Sequence, residues 1–483
     1  MHGLHNRRRA APPAATVDPA APDQGRQPWS LLILLCVAQF MVILDATVVN
    51  VALPSIARSL SFTAGGLQWV VTAYVLASGG LVLLGGRAAD VIGRRTVFLA
   101  GLTVFTAASL ASGLAPTASA LIAARAGQGA GAALLTPGAL AILAAAYTGA
   151  QRATALGTWG AIGGAGAAAG VLAGGMLTTW LGWRSIFLVN VPVGIAAGLV
   201  SLRLVPRAAG QGPRRALDLR GAILAVAGLV SLVYAISGAP AHGWGSARTV
   251  ALLAVAAVLL AAFALAERSA ASPLVPPATW RSRTLVAGVL VMLGATGILV
   301  GTFFLNSLYL QEVLGASALR TGLEFLPLAV IIGASAHLAG RLLPRAGSRP
   351  LILAGLVLMA GGALLLSPVS ANSAYVTGLL PGLLVTGIGT GLVLPATAVT
   401  AMNDIAPDRA GLASGLMSAG HEIGAALGVA VFSAIAVAAS GGIGAGYRHG
   451  LIVMIGAAAG LALIAGAVVP SVRPAAGVRA GVH

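Results

Sequence analysis

The chain has 483 residues, of which 58% are hydrophobic and only 8% charged. An ordinary soluble domain carries roughly 25% charged residues, so this chain has too few to clothe a water-soluble surface of its size, and it is too apolar to be disordered. What remains is a helical protein embedded in a bilayer. All 28 basic residues are Arg and Lys is absent, which excludes a Walker A phosphate loop and a Lys Schiff base. A net charge of +17 would suggest nucleic acid as a partner for a soluble chain. Here the Arg residues lie between apolar runs, so the charge reads as membrane topology and not as a nucleic-acid surface. The excess of Ala, Gly, Arg and Pro points to a GC-rich bacterial genome, and the single Cys36 leaves no internal disulfide.

In chain order, residues 1–28 are polar and rich in Pro and Ala, with Arg7, Arg8, Arg9 and Arg26, and read as a disordered cytoplasmic tail. The apolar run that follows extends to Leu53, longer than the 7–15 residues or so of a signal-peptide core. It also carries Asp45 and Asn50, so it reads as the first spanning helix. Runs of about 20 apolar residues, the length that crosses a bilayer, fall near 30–53, 66–85, 96–115, 119–145, 154–178 and 185–204. Two more lie near 217–238 and 249–266, where shorter or tilted helices would also fit, and six follow near 285–311, 322–343, 351–368, 374–402, 411–438 and 450–471. The expected fold is therefore an all-α integral membrane protein of 14 transmembrane helices. Its parts are a six-helix half over 29–204, a two-helix insert with cytoplasmic linkers over 205–283, a second six-helix half over 284–471 and a cytoplasmic tail over 472–483.

Arg placement orients this arrangement. With the N-terminus inside, 22 Arg fall on the cytoplasmic side and 5 outside, and Arg125 alone lies within the membrane. That bias puts both termini in the cytoplasm of a cell-membrane, multi-pass protein. The halves also repeat. The first four spans begin 255 or 256 residues before their counterparts, the fifth 257 and the sixth 265. Residues Gly86 to Gly93 recur in degenerate form as Gly340 to Gly347, with Pro344 in place of Asp90. A duplicated transporter has this organisation, with substrate between its halves near the midplane.

Four motifs carry chemistry. The first, Leu44 to Pro54, holds Asp45. An ionised Asp at a helix centre costs roughly 2.5–3.5 kcal/mol on insertion scales, so it needs a partner, water or a proton, either as a packing residue or as a proton or cation site. The second, Gly86 to Phe98, places Gly86, Asp90, Gly93, Arg94 and Arg95 in the loop between spans 2 and 3. Gly93 permits a tight turn, and Asp90 suits a helix N-terminus or an Arg. The third, Leu121 to Gly131, carries Arg125. Asp45 lies eight residues and Arg125 six residues from the outer ends of their spans, depths of about 12 and 9 Å at the rise of an α-helix. The two charges thus sit at similar height, within reach of a direct or water-bridged contact. The fourth is a glycine array in span 5: Gly157, Gly166, Gly170, Gly174 and Gly175. Small residues let helices approach closely in lipid. A dinucleotide fingerprint drawn through Gly164, Gly166 and Ala169 fails, since no strand precedes it and no acidic residue follows at the required distance.

In this order the motifs resemble the major facilitator superfamily, specifically its 14-spanner drug:proton antiporter branch, over nearly all of residues 30–471. The resemblance implies the major facilitator fold, a latch between the halves at the span 2–3 loop, proton transfer linked to Arg125, and leak prevention by the glycine helix. Ala88 and Val91 depart from the loop pattern, and Val171 stands where the family usually has Pro. Trp183-Arg184, Phe187 to Pro192, Tyr309-Leu310-Gln311 and Phe325-Leu326-Pro327 continue the likeness. His421-Glu422 falls mid-span, about 16 Å into span 13, and Ala425 where a second His would be needed rules out the zinc motif. Adjacent helical residues point about 100° apart, so at most one of the two faces the cavity squarely. Glu324 lies near the outer end of span 10, and His337 in its inner half reads as a packing histidine.

The expected activity is proton-coupled efflux of small amphipathic or cationic compounds, drugs or antibiotics, by alternating access. Asp45, Arg125, Glu422 and His421 are its proton-coupling candidates. No enzyme activity, cofactor or metal is expected. The expected partners are protons, membrane lipids and a small amphipathic substrate, with the chain acting as a monomer. A symporter, importer or metabolite exporter of the same fold, a permease driven by a separate ATPase, or a non-transporting membrane sensor or scaffold are the alternatives.

Overall fold

The computed structural model describes residues 29–470 and Val472, apart from 63–65, 148, 206–217, 271–272, 370–372, 406–409 and 440–441. The two tails, the Arg-bearing linker after the sixth span and the surroundings of Gly157 lie outside the described residues. The described residues contain no strand. The first half comprises α1 (Trp29–Leu60), α2 (Trp69–Val91), α3 (Arg94–Gly113), α4 (Ala118–Ala146), α5 (Gly149–Leu181) and a sixth span broken into α6 (Ser185–Leu188) and α7 (Asn190–Leu204). The insert is α8 (Leu219–His242) and α9 (Ala247–Ser269). The second half comprises α10 (Arg283–Leu308), α11 (Ala318–Ala346), α12 (Ser348–Leu366), α13 (Leu380–Met402), α14 (Ala410–Ala438) and α15 (Gly442–Val468), with π-helical turns at Tyr309–Val313 and Tyr375–Leu379. Thirteen helical segments among the described residues are long and apolar enough to cross a membrane, and α5, at 33 residues, has the length for a fourteenth. Two of the thirteen are α8 and α9, with 24 and 23 residues.

Local signals set the helix ends. The side chains of Thr117, Asp218, Ser246, Ser282 and Ser317 each accept a backbone N–H in the first turn of the helix that follows, satisfying donors that the helix itself cannot. Between α2 and α3 the chain turns at Gly93 with φ +112°, and between α11 and α12 at Gly347 with φ +80°. The two glycines are 254 residues apart, and a side chain would be strained at both.

The duplication is visible in the packing. In the first half α4 packs on α2 and α3, α1 on α5, and α3 on α7; in the second, α13 packs on α11 and α12, α10 on α14, and α12 on α15. The halves meet along two pseudo-equivalent seams, α5 against α11 and α2 against α14. Glycines make the close contacts. Gly166, Gly170 and Gly174 of α5 lie against Phe40 to Val48 of α1. Gly420, Gly424 and Gly428 of α14, 254 residues later, lie against Val289, Leu293 and Gly297 of α10. With little hydrophobic driving force between helices in lipid, such backbone proximity supplies the van der Waals energy of association. A Cβ on Gly428 would meet the Gly297 backbone, with Cα at 2.7 Å. Gly428→Val therefore costs about 1–3 kcal/mol by overpacking, read as a lower unfolding temperature of the purified protein, whereas Gly456→Val, which meets nothing within 4 Å, leaves it unchanged.

Candidate proton-coupling site

Arg125 and Asp45 form a direct, fully buried ion pair inside the first half. The close packing of α4 makes the site possible. A Cβ at Gly129 would collide with the Tyr74 carbonyl of α2, and one at Gly131 would stand 2.5 Å from the Phe105 nitrogen of α3. The two glycines therefore draw α2 and α3 onto α4 beside the Arg125 side chain.

Hydrogen bonds among four helices then converge on the pair. Arg125 Nη1 donates to Asp45 Oδ2 and, at 2.9 Å, to Gln128 Oε1, while its Nε donates to the Val70 carbonyl at 2.8 Å. Asp45 Oδ1 accepts from Gln128 Nε2 at 2.9 Å and from Asn190 Nδ2 at 2.8 Å. The Gln128 amide is used completely, since Nε2 also donates to Ser109 Oγ and Oε1 also accepts from Ser112 Oγ. The guanidinium lies over the Tyr74 ring at 4.4 Å and near Phe187 at 5.6 Å, where cation–π attraction is strongest in a desolvated setting. Residues from α1, α2, α3, α4, α6 and α7 thus converge on one pair of opposite charges. A buried pair holds only when polar partners surround it, and here Gln128, Asn190 and the Val70 carbonyl supply them. Gln128 and Asn190, not singled out from sequence, lie within the stretches Leu121 to Gly131 and Phe187 to Pro192. Their type gave the signal, since an amide in an apolar span needs partners.

The other predicted residues separate into distinct places. Glu422 and His421 diverge as their helical spacing requires. Glu422 lies on the α2 side of α14, its Cβ against Gly79 of α2, while His421 Nδ1 lies 3.1 Å from Thr296 Oγ1 of α10 in its own half. The Glu422 carboxylate makes no hydrogen bond or ion pair among the described residues. In the loop motif Gly93 makes the turn, and Arg95 donates to the Leu202 carbonyl of α7 at 2.8 Å. Gly86 faces Pro137 of α4, and Asp90 is exposed, paired with no cation among the described residues. Arg94 stands in the first turn of α3. Of the glycine array, Gly166, Gly170 and Gly174 pack on the α1 turns that carry Asp45, whereas Gly175 faces Ala318 and Leu319 of α11. Helix α5 continues through Val171 without a break. Glu324 pairs with Arg320 at 2.8 Å, and His337 is exposed on α11.

A second constellation joins the halves at the predicted outer end. Pro54 lies inside α1. It lacks an N–H, and its ring crowds the carbonyl four residues back, which is that of Asn50. Ser307 Oγ of α10 donates to this carbonyl at 2.7 Å, and Gln311 Nε2 donates to the next one, Val51, at 3.0 Å. Arg58 and Glu312, 3.4 Å apart, continue the contact at the surface. The Leu319 nitrogen donates to Thr179 Oγ1 across the α5/α11 seam at 3.2 Å. Ser307 carries no signal in the sequence, because its partner is a backbone atom in the other half.

Residues 35–429, and in an overlapping match 305–481, fit the Major Facilitator Superfamily. Puromycin resistance protein pur8 of Streptomyces alboniger is 42% identical over 88% of this chain and 86% of its own length. Cephamycin export protein CmcT of Amycolatopsis lactamdurans is 44% identical over 83% of each chain. Among solved structures, a bacterial homologue of the human lysosomal transporter Spinster, inward-facing and occupied, superimposes with a TM-score of 0.64 at 16% identity, covering 92% of this chain and 98% of its own. At that identity the likeness speaks for the fold alone.

Removing one charge of the pair strands the other in a dry interior, a loss of about 3–5 kcal/mol. Arg125→Leu should therefore lower the unfolding temperature of the purified protein markedly. In the Asp45→Asn/Arg125→Leu double variant, where no charge is stranded, much of that loss is recovered. Equal losses in both variants would show that the pair's charge is not what stabilises the fold.

Proposed function

The chain belongs to the Major Facilitator Superfamily, and we propose that it exports small amphipathic or cationic compounds, antibiotics among them, in exchange for protons across a bacterial cell membrane. The observation that carries the coupling is the buried Asp45–Arg125 pair. The names of the relatives, which concern resistance to puromycin and export of cephamycin, support the substrate class and the direction.

Helix α1 links proton to conformation. Asp45 sits in its middle, and the Asn50 and Val51 carbonyls that bind α10 lie five and six residues further on, about 8–9 Å along the axis. With Asp45 ionised, Arg125, Gln128 and Asn190 hold α1 in the first half. A proton on Asp45 removes the ionic part of that hold. Arg125 keeps Val70, Gln128 and the two aromatic faces, so the cation stays solvated while α1 loosens and the grip on α10 with it. Glu422, beside α2 at the other seam, serves as a second proton or cation site facing the first half, while His421 steadies α14 through Thr296. Arg95 ties the α2–α3 loop to α7, leaving Asp90 and Arg94 to latch the halves in another state of the cycle.

In everted vesicles with a pH-sensitive dye, addition of puromycin or a cephamycin should produce substrate-dependent proton movement that Asp45→Asn abolishes. Normal exchange by Asp45→Asn would remove Asp45 from the mechanism. The clamp is tested separately, by distance measurement between spin labels on the α1–α2 and α10–α11 loops in a Cys36→Ala background. Ser307→Ala/Gln311→Ala should shift the population toward longer distances, and an unchanged distribution would show that the two hydrogen bonds do not hold that end closed.

A further inference from the structure

The seams between the halves are related by the duplication, but the insert treats them differently. Helix α8 packs on both α2 and α14, while no third helix packs to a comparable extent on both α5 and α11 among the described residues. Its contact runs the length of the α2/α14 seam. At one end Ala222 joins the cluster of Leu416 and Met417 from α14 with Leu81, Leu83 and Leu84 from α2. Midway, Val226 lies against Gly80. Beyond it, Leu229 and Val233 share a cluster with Val75, Leu76, Ile423, Ala425 and Ala426, and the Tyr234 ring stands 6.0 Å from that of Trp69.

The level at which the three helices meet is chemically distinctive. Gly79 and Gly80 are neighbours on α2. A Cβ on the first would stand 2.6 Å from the Glu422 Cβ of α14, and one on the second would crowd Val226 of α8. Two side-chain-free positions about 100° apart let α14 and α8 approach α2 side by side, at the height of a carboxylate with no hydrogen-bond partner among the described residues. An ionisable group at that depth is costly against hydrocarbon. Without α8, the seam that carries it would open directly onto lipid.

We propose that α8 is a lipid-side wall over the α2/α14 seam, which keeps Glu422 out of contact with acyl chains and leaves α5/α11 as the lipid-facing seam of the pair. Helix α9 backs the wall, packing on α8, with Leu260 against Gly228. Most of its surface, including Val255 and Val258, is exposed. The wall is a matter of packing, so its test does not depend on transport and is independent of the proton-exchange reading.

The probe is dicyclohexylcarbodiimide, a lipid-soluble reagent that couples to carboxyl groups in apolar surroundings, applied to the full chain in liposomes, with modification of Glu422 read by mass spectrometry. Glu422 should react slowly in the unaltered protein and severalfold faster in Val226→Gly/Leu229→Gly, which thins the wall. Val255→Gly/Val258→Gly on the outer face of α9 should not change the rate. Fast labelling of the unaltered protein, or equal rates in all three, overturns the proposal. In a Cys36→Ala background, Gly80→Cys/Val226→Cys supplies an independent check. A Cβ at 80 would lie 3.6 Å from that of Val226, inside the range of about 3.5–4.5 Å that a disulfide spans. The bond should form on mild oxidation and leave Glu422 slow to react. Failure to cross-link would show that α8 does not lie on the seam.

Discussion

One pair of opposite charges, buried among the helices, organises the first half of this protein. Asp45 and Arg125 are tolerable there only because Gln128, Asn190, Val70 and two aromatic faces complete their coordination. That requirement reaches every span of the half except α5, and the Gly166–Gly174 stripe of α5 packs on the same stretch of α1. The glycines of α4 follow from it as well, since a cation without bulk water must have its acceptors brought close. Among the described residues the second half has no counterpart. Positions 254 residues after Asp45 and Arg125 are Leu299 and Leu379. The duplication kept the glycine contacts, while leucines stand where the first copy carries its charges.

Much of this was legible in the sequence because lipid simplifies the problem. With every backbone group satisfied within its own helix, apolar length alone placed the spans, and the two uncertain ones proved to be complete helices of 24 and 23 residues. Similar depth from the outer ends anticipated the meeting of Asp45 and Arg125, and the structure makes the contact direct. The 100° rule separated His421 from Glu422, though not which way each would turn. The two contacts that decide this, Thr296 for His421 and Gly79 for Glu422, come from helices more than a hundred residues away in the chain.

The illegible parts share a cause. Ser307 and Gln311 bond to carbonyls, which have no identity in a sequence. The place of the insert depends on apolar surfaces that lipid could equally have covered, so the stretch 217–238 gave no hint that it lies on α2 and α14. The second glycine stripe, Gly420, Gly424 and Gly428, was readable in principle, since it repeats the first at a fixed interval. Its signal is faint among the 66 glycines of the chain.

The junction at Pro54 has an evolutionary corollary. Its acceptors on α1 are main-chain oxygens of Asn50 and Val51, and every amino acid supplies one. Drift at those two positions leaves the bonding partners in place, whatever side chain arrives. For these two bonds, heritable adjustment thus falls to the donors Ser307 and Gln311 and to Pro54, whose missing N–H frees the Asn50 oxygen, a very small mutational target for a machine of this size.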